Sequence, residues 1–256
     1  QDGMGFLADV GDTALVYKDA SKPSKSADAL KIFLDKNLNP PQVSADRYGY
    51  IGHNRLVTNG LRHLYDDSQP ILLDQLIGFH VGILLPTERP KIASWGNSSA
   101  LSGSDSKFLF SLMAKNDILK MKDHEYLRTT FDNFKGNYSV AISCPALPII
   151  TLASNCGSLF LYKDPISANV AFASEKSLLK SYIKKSKFFD NPASDNISQL
   201  INKIAYINLE NNLDIEIIDL KSTHRQFNGI DNSSFKLKRK IISNQQIDRD
   251  RFVKIQ

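Results

Sequence analysis

The stretch IGHNRLVTNG, residues 51–60, decides how this chain is read. An aromatic and apolar run (Tyr48, Tyr50, Ile51) leads into His53, Asn54 and Arg55, and Thr58-Asn59-Gly60 then bends the chain. An apolar run closed by turn residues reads as a strand. A guanidinium at its end either caps a surface hairpin or holds a carboxylate, which its fork of parallel donors fits. The rest of the chain has to choose between the two.

Working outward, MGFLADVGDTALVYK (4–18) reads as two short strands about a Gly11-Asp12 turn. Residues 19–46 are mostly polar, with prolines at 23, 40 and 41, and leave room for one helix over 26–37. In ILLDQLIGFHVGILL (71–85) the half from Leu76 to Leu85 is nearly continuously apolar, as in a strand buried on both faces. Helices are expected over 104–116, with Ser104 as N-cap and Asp105 in the first turn, and over 123–135. GNYSVAISC, IITLASN, GSLFLYK and NVAFAS then read as four short strands, followed by a short helix over 175–185. The segment 203–220 reads as a hairpin about Asn211-Asn212. The expectation is an antiparallel, strand-rich α+β domain.

Composition narrows the function classes. The 256 residues are 42% hydrophobic and 23% charged, as in ordinary globular chains. No apolar run reaches the length of about 18 residues that a membrane helix needs, and QDGMGFLADV at the start carries no leader pattern. No membrane partner and a cytoplasmic location are therefore expected. Cys144 and Cys156 lie twelve apart with no C-x-x-C pattern, which suits two reduced, partly buried thiols. The net charge of +5 belongs to residues 221–256, where nine Lys/Arg meet three Asp/Glu around FKLKRK (235–240). Without aromatic interleaving or a helix-turn-helix pattern, that run reads as a solvated tail, and no nucleic-acid partner is expected. His53, His63, His80, His124 and His224 share no ligand spacing, so neither a metal nor a cofactor is expected.

Four pieces in this order resemble the class II glutamine amidotransferase domain, a member of the N-terminal-nucleophile hydrolases. GHNRLVTNG (52–60) is similar to its G-H-x-R-x-x-T-x-G strand and turn, and DDSQPI (66–71) to its Asn/Gln-Pro segment. GFHVGIL (78–84) stands where that family has its His-Asn-Gly strand, and SGSDSKFL (102–109) resembles its Ser-Asp-[ST] helix start. FKGNYSVAI (134–142), NCGSLFLY (155–162) and VAFASEKSLL (170–179) resemble its later strands. QDGMGF (1–6) resembles the family's Arg-Gly-x-Asp-x-x-Gly segment, which lies a few dozen residues after the catalytic N-terminal cysteine. The resemblance covers most of residues 1–220 and leaves 221–256 as a basic C-terminal tail or linker. It implies an αββα sandwich, two antiparallel sheets between helix layers.

The resemblance also implies a chemistry: hydrolysis of the side-chain amide of L-glutamine, with ammonia passed to a partner synthetase or transferase. The nucleophilic cysteine is expected outside this chain, since Cys144 and Cys156 both fall in the later β block. By resemblance Arg55 pairs with the substrate α-carboxylate, Thr58 holds the same end, and Asp105 takes the α-ammonium. Read from the residues alone, Asp105 is equally a first-turn acid favoured by the helix dipole. The oxyanion region falls at Val81 and Gly82, and here the chain departs from the family. Valine has no donor where the family has asparagine, although the Gly82 N–H is retained. Leu56 likewise replaces a usual aromatic. Two readings follow: a glutaminase domain completed by a cysteine from elsewhere, or a non-catalytic glutamine-binding or scaffold homologue.

Overall fold

The computed structural model describes residues 3–10, 13–21, 23–37, 48–55, 68–73, 76–87, 104–114, 118–144, 147–190, 196–210, 213–220 and 240–243. The first half alternates hairpin and helix: β1 (Gly3–Val10), β2 (Thr13–Asp19), α1 (Pro23–Asn37), β3 (Tyr48–Arg55), β4 (Ile71–Leu73), β5 (Leu76–Pro86) and α2 (Asp105–Ala114). The second half runs α3 (His124–Phe131), β6 (Phe134–Ser143), β7 (Ile149–Ser154), β8 (Phe160–Lys163), β9 (Val170–Ala173) and α4 (Lys176–Lys185). It closes with β10 (Ser198–Gln199), β11 (Lys203–Asn208), β12 (Ile215–Asp219) and β13 (Lys240–Ser243).

Among the described residues the strands form three sheets, ordered β13-β2-β1-β3, β10-β8-β9 and β12-β11-β7-β6-β5-β4. The large sheet packs one face against both smaller ones. Leu7, Val16 and Ile51 from one small sheet and Leu159 and Leu161 from beside and on β8 share a core with Ile77, Phe79, Leu152 and Ile207. Its other face meets α2 and α3 through Leu109, Phe110, Met113, Leu127 and Phe131. On the outside, α1 covers β1 and β2 through Phe33 against Leu15 and Tyr17, and α4 covers β8 and β9 through Leu179 and Ile183 against Tyr162 and Ala171. The result is the expected αββα layering, with one of its two sheet layers made of two separate sheets.

Local chemistry sets most element ends. Pro23 opens α1, where a missing N–H costs nothing. The Ser104 hydroxyl accepts from Lys107 N at 3.4 Å, so the expected N-cap holds and α2 begins at Asp105. The helix expected over 123–135 stops at Phe131, because the Asn133 amide donates to Thr129 O and Thr130 O and terminates it before β6. In β5 only Leu76–His80 is buried on both faces. Val81, Ile83 and Leu85 are 41%, 51% and 59% exposed, which corrects the reading of a strand buried throughout. A run of apolar residues does not reveal where the opposing sheet stops covering it. β13, to which the sequence assigned no element, lies parallel to β2 from Lys240↔Thr13 to Ser243↔Val16. The two thiols are free, Cys144 buried and Cys156 exposed.

The loop before β4 rests on β1. A Cβ on Gly5 would stand 1.9 Å from Gln69 O and 2.7 Å from the Pro70 ring, so only glycine permits this approach. Gly5→Ala should therefore lower unfolding free energy by about 1–3 kcal/mol in a denaturant titration. An unchanged midpoint would show that the loop does not sit there.

Candidate functional site

Among the described residues, β5 has one paired edge and one largely open edge. β6 pairs with it from Ile77 to Pro86, whereas β4 covers the opposite edge only at Leu76, Ile77 and Gly78. Beyond that point the outward backbone groups need other partners, because an unmade hydrogen bond at a buried group costs about 1–3 kcal/mol. Two side chains supply them. The Gln69 carboxamide imitates a strand residue: its Oε1 accepts from His80 N at 2.6 Å and its Nε2 donates to His80 O at 2.7 Å. Further along, Asp105 Oδ2 accepts from Leu84 N at 2.9 Å, while its Oδ1 accepts from Ser106 N at 2.9 Å.

Gly82 lies between these two closures. Peptide directions alternate along an antiparallel strand, so its N–H faces the same edge as those of His80 and Leu84. Its φ of +139° and the 2.1 Å that would separate a Cβ from Asn137 O make glycine obligatory.

Gln69 is itself held. The buried Lys18 donates from Nζ to Ser68 O at 3.3 Å, fixing the loop on the sheet that holds β1. From the helix side, Ser106 Oγ lies 3.5 Å from Gln69 Nε2 and 2.8 Å from His80 Nδ1. His80 is 3% exposed, and its Nε2 has no partner among the described residues. Burial pushes its pKa below the ordinary 6.5, and the nearby Asp105 carboxylate only partly opposes that.

Arg55 ends β3, its backbone paired with Gly3 of β1; its side chain lies outside the described residues, as does all of Thr58. Two positions before Arg55, the His53 ring stands 6.4 Å from that of Phe79, which is two positions before Val81. The end of β3 therefore faces the middle of β5 across the sandwich. Val81 presents an aliphatic side chain here. Its cross-strand partner Ser139 pairs in turn with Ser154, and their hydroxyls are 2.8 Å apart. The structure thus brings Val81, Gly82 and Asp105 to one stretch of β5 and its open edge.

Sequence reasoning missed Gln69, His80 and Ser106 as working parts, although each lay inside a quoted motif. It also gave no weight to Cys156. That thiol lies 3.9 Å from both Ser139 Oγ and Ser154 Oγ, so it shares a neighbour with Val81. Partial burial raises its pKa, but donors at Ser158, then Ser154 and Ser139, outweigh this and hold it below the ordinary value. The fully enclosed Cys144 is instead pushed up to about 12 by burial. Among the described residues, no group of three His, Cys, Asp or Glu side chains could hold a metal ion.

The His80 environment sets a pH dependence. Its folded pKa lies below the unfolded value of 6.5, so the unfolded chain takes up the proton first and stability falls as pH drops below about 6.5. Chemical denaturation between pH 8 and 5 should show a steeper loss for the wild type than for His80→Asn. Identical slopes would mean that His80 titrates normally in the fold.

No family model matches the sequence, and no curated protein matches it. Solved structures do. A glutamine phosphoribosylpyrophosphate amidotransferase from B. subtilis, complexed with ADP and GMP, superposes with a TM-score of 0.56 at 19% identity. That match covers 87% of this chain and 44% of the other. A structure described as the allosteric regulatory enzyme of purine biosynthesis gives 0.56 at 18% identity, with the same coverages of 87% and 44%. A glutamine aminotransferase class-II domain protein from Silicibacter pomeroyi superposes less closely, at 0.48 and 12% identity over 86% of this chain and 92% of its own. The chain spans less than half the length of the first two. The architecture shared with them is the N-terminal-nucleophile hydrolase fold of class II glutamine amidotransferase domains, and this chain has that fold.

Proposed function

We propose that residues 1–220, with the edge strand β13 paired to β2, form a glutamine-binding domain of the class II amidotransferase type. Completed by a cysteine from outside these 256 residues, it would convert glutamine and water to glutamate and ammonia. The ammonia would pass to a partner synthetase or transferase domain or subunit. The observation that carries this reading is the open edge of β5, where the Gly82 N–H stands between two positions closed by Gln69 and Asp105.

In this reading Arg55 and Thr58 take the α-carboxylate and Asp105 the α-ammonium. Both Asp105 oxygens already accept a backbone N–H, and each keeps lone-pair capacity for a further donor. Attack of a thiolate on the side-chain amide carbon places negative charge on the amide oxygen, and a preorganised N–H at Gly82 would stabilise it. The family's base is the cysteine's own α-amino group, whose pKa of about 8 suits proton removal near neutrality. Val81 supports the second reading, a glutamine-binding scaffold with no catalysis. Losing one oxyanion donor costs on the order of 10²–10³ in rate in comparable hydrolases.

Arg55→Ala should weaken L-glutamine binding at least about tenfold by calorimetry, the scale of a lost charge-assisted pair. Unchanged affinity would remove Arg55 from the site. Val81→Asn, tested in a chain bearing the N-terminal cysteine, separates the two readings: glutamate release that rises with the restored amide favours the enzyme.

A further inference from the structure

We propose that Gln69, His80 and Ser106 are positioning residues that hold the Gly82 N–H as a one-donor seat for the side-chain carbonyl oxygen of an amide-bearing amino acid. This role rests on reading the β5 edge as a glutamine site. The three act through the strand backbone.

The geometry is a chain of contacts that ends on β5. Gln69 makes two short bonds to one residue, His80, and so fixes both the position and the tilt of the two peptide units that flank His80, the second of which leads into Val81. Its amide is oriented in turn by Ser106, whose hydroxyl also meets His80 Nδ1 at 2.8 Å, so backbone and side chain of His80 are tied to one frame. Ser106 follows Asp105 on α2, and Asp105 closes Leu84. The frame therefore grips β5 two residues before Gly82 and two residues after it. Between the grips, Gly82 has a backbone conformation that other residues rarely adopt. Such a residue needs its neighbours fixed to keep its N–H aimed in one direction. With Val81 offering no donor, that single N–H would meet the carbonyl oxygen, and its orientation would decide how well the amide end is held.

A ligand comparison separates positioning from plain stability. The ¹⁵N-labelled full chain and its Gln69→Ala and Ser106→Ala variants are titrated with L-glutamine and with L-norvaline, which has the same α groups but no side-chain carbonyl. Ser106→Ala removes only a hydroxyl and serves if Gln69→Ala does not fold. The expected result is a loss of L-glutamine affinity of about tenfold for Gln69→Ala and about threefold for Ser106→Ala. L-Norvaline binding should stay unchanged, and the Gly82 amide shift induced by L-glutamine should shrink. Equal weakening of both ligands, or no change with either, would overturn the positioning role. If the wild-type chain binds no L-glutamine, the glutamine reading fails first and the role falls with it.

Discussion

A sheet edge facing the interior must find partners for its backbone, and the organisation of this molecule around β5 follows from that requirement. β4 is too short to serve the whole strand, and two side chains brought from elsewhere complete what it leaves. One comes from the loop held against β1 by Lys18 and by the missing side chain of Gly5. The other comes from the first turn of α2. Three layers of the sandwich therefore converge on a few peptide groups around Gly82, a position that only glycine can occupy.

The same convergence explains why the candidate site lies at one end of the inter-sheet core. Up to Phe79, β5 is covered by the opposing sheets and its inward side chains are ordinary core. From Val81 onward the cover is lost and alternate apolar side chains are exposed. The exposed surface there is aliphatic at Val81, while Ser139 and Ser154 bond to each other beneath it and the exposed Cys156 carries a thiol with depressed pKa.

Much of the fold was legible because its signals are local. Turn pairs fixed the β1–β2 hairpin, Ser104 fixed the start of α2, and the strand block from Phe134 to Ala173 followed from short apolar runs between turns. The motifs carrying Arg55, Val81, Gly82 and Asp105 stand in order, and the last three meet at one stretch of β5. Gln69 was quoted with its motif, yet its service as a surrogate strand residue depends on contacts 11 and 37 positions away. No local pattern encodes those. The exposure of Ile83 and Leu85 was hidden for the same reason, as it depends on where another sheet ends. β13 is four residues in a basic stretch, and its strand character comes from pairing with β2. Cys156 was discounted by its position in the chain, although β-sheet register brings it beside the cross-strand neighbour of Val81.

Amide hydrogen exchange along β5, read residue by residue in the free protein, tests this picture most directly. Protection at His80 and Leu84, with faster exchange at Gly82 between them, is the pattern that two side-chain closures around one outward N–H must give. Uniform protection across the three amides, or exposure at His80 or Leu84, would contradict it.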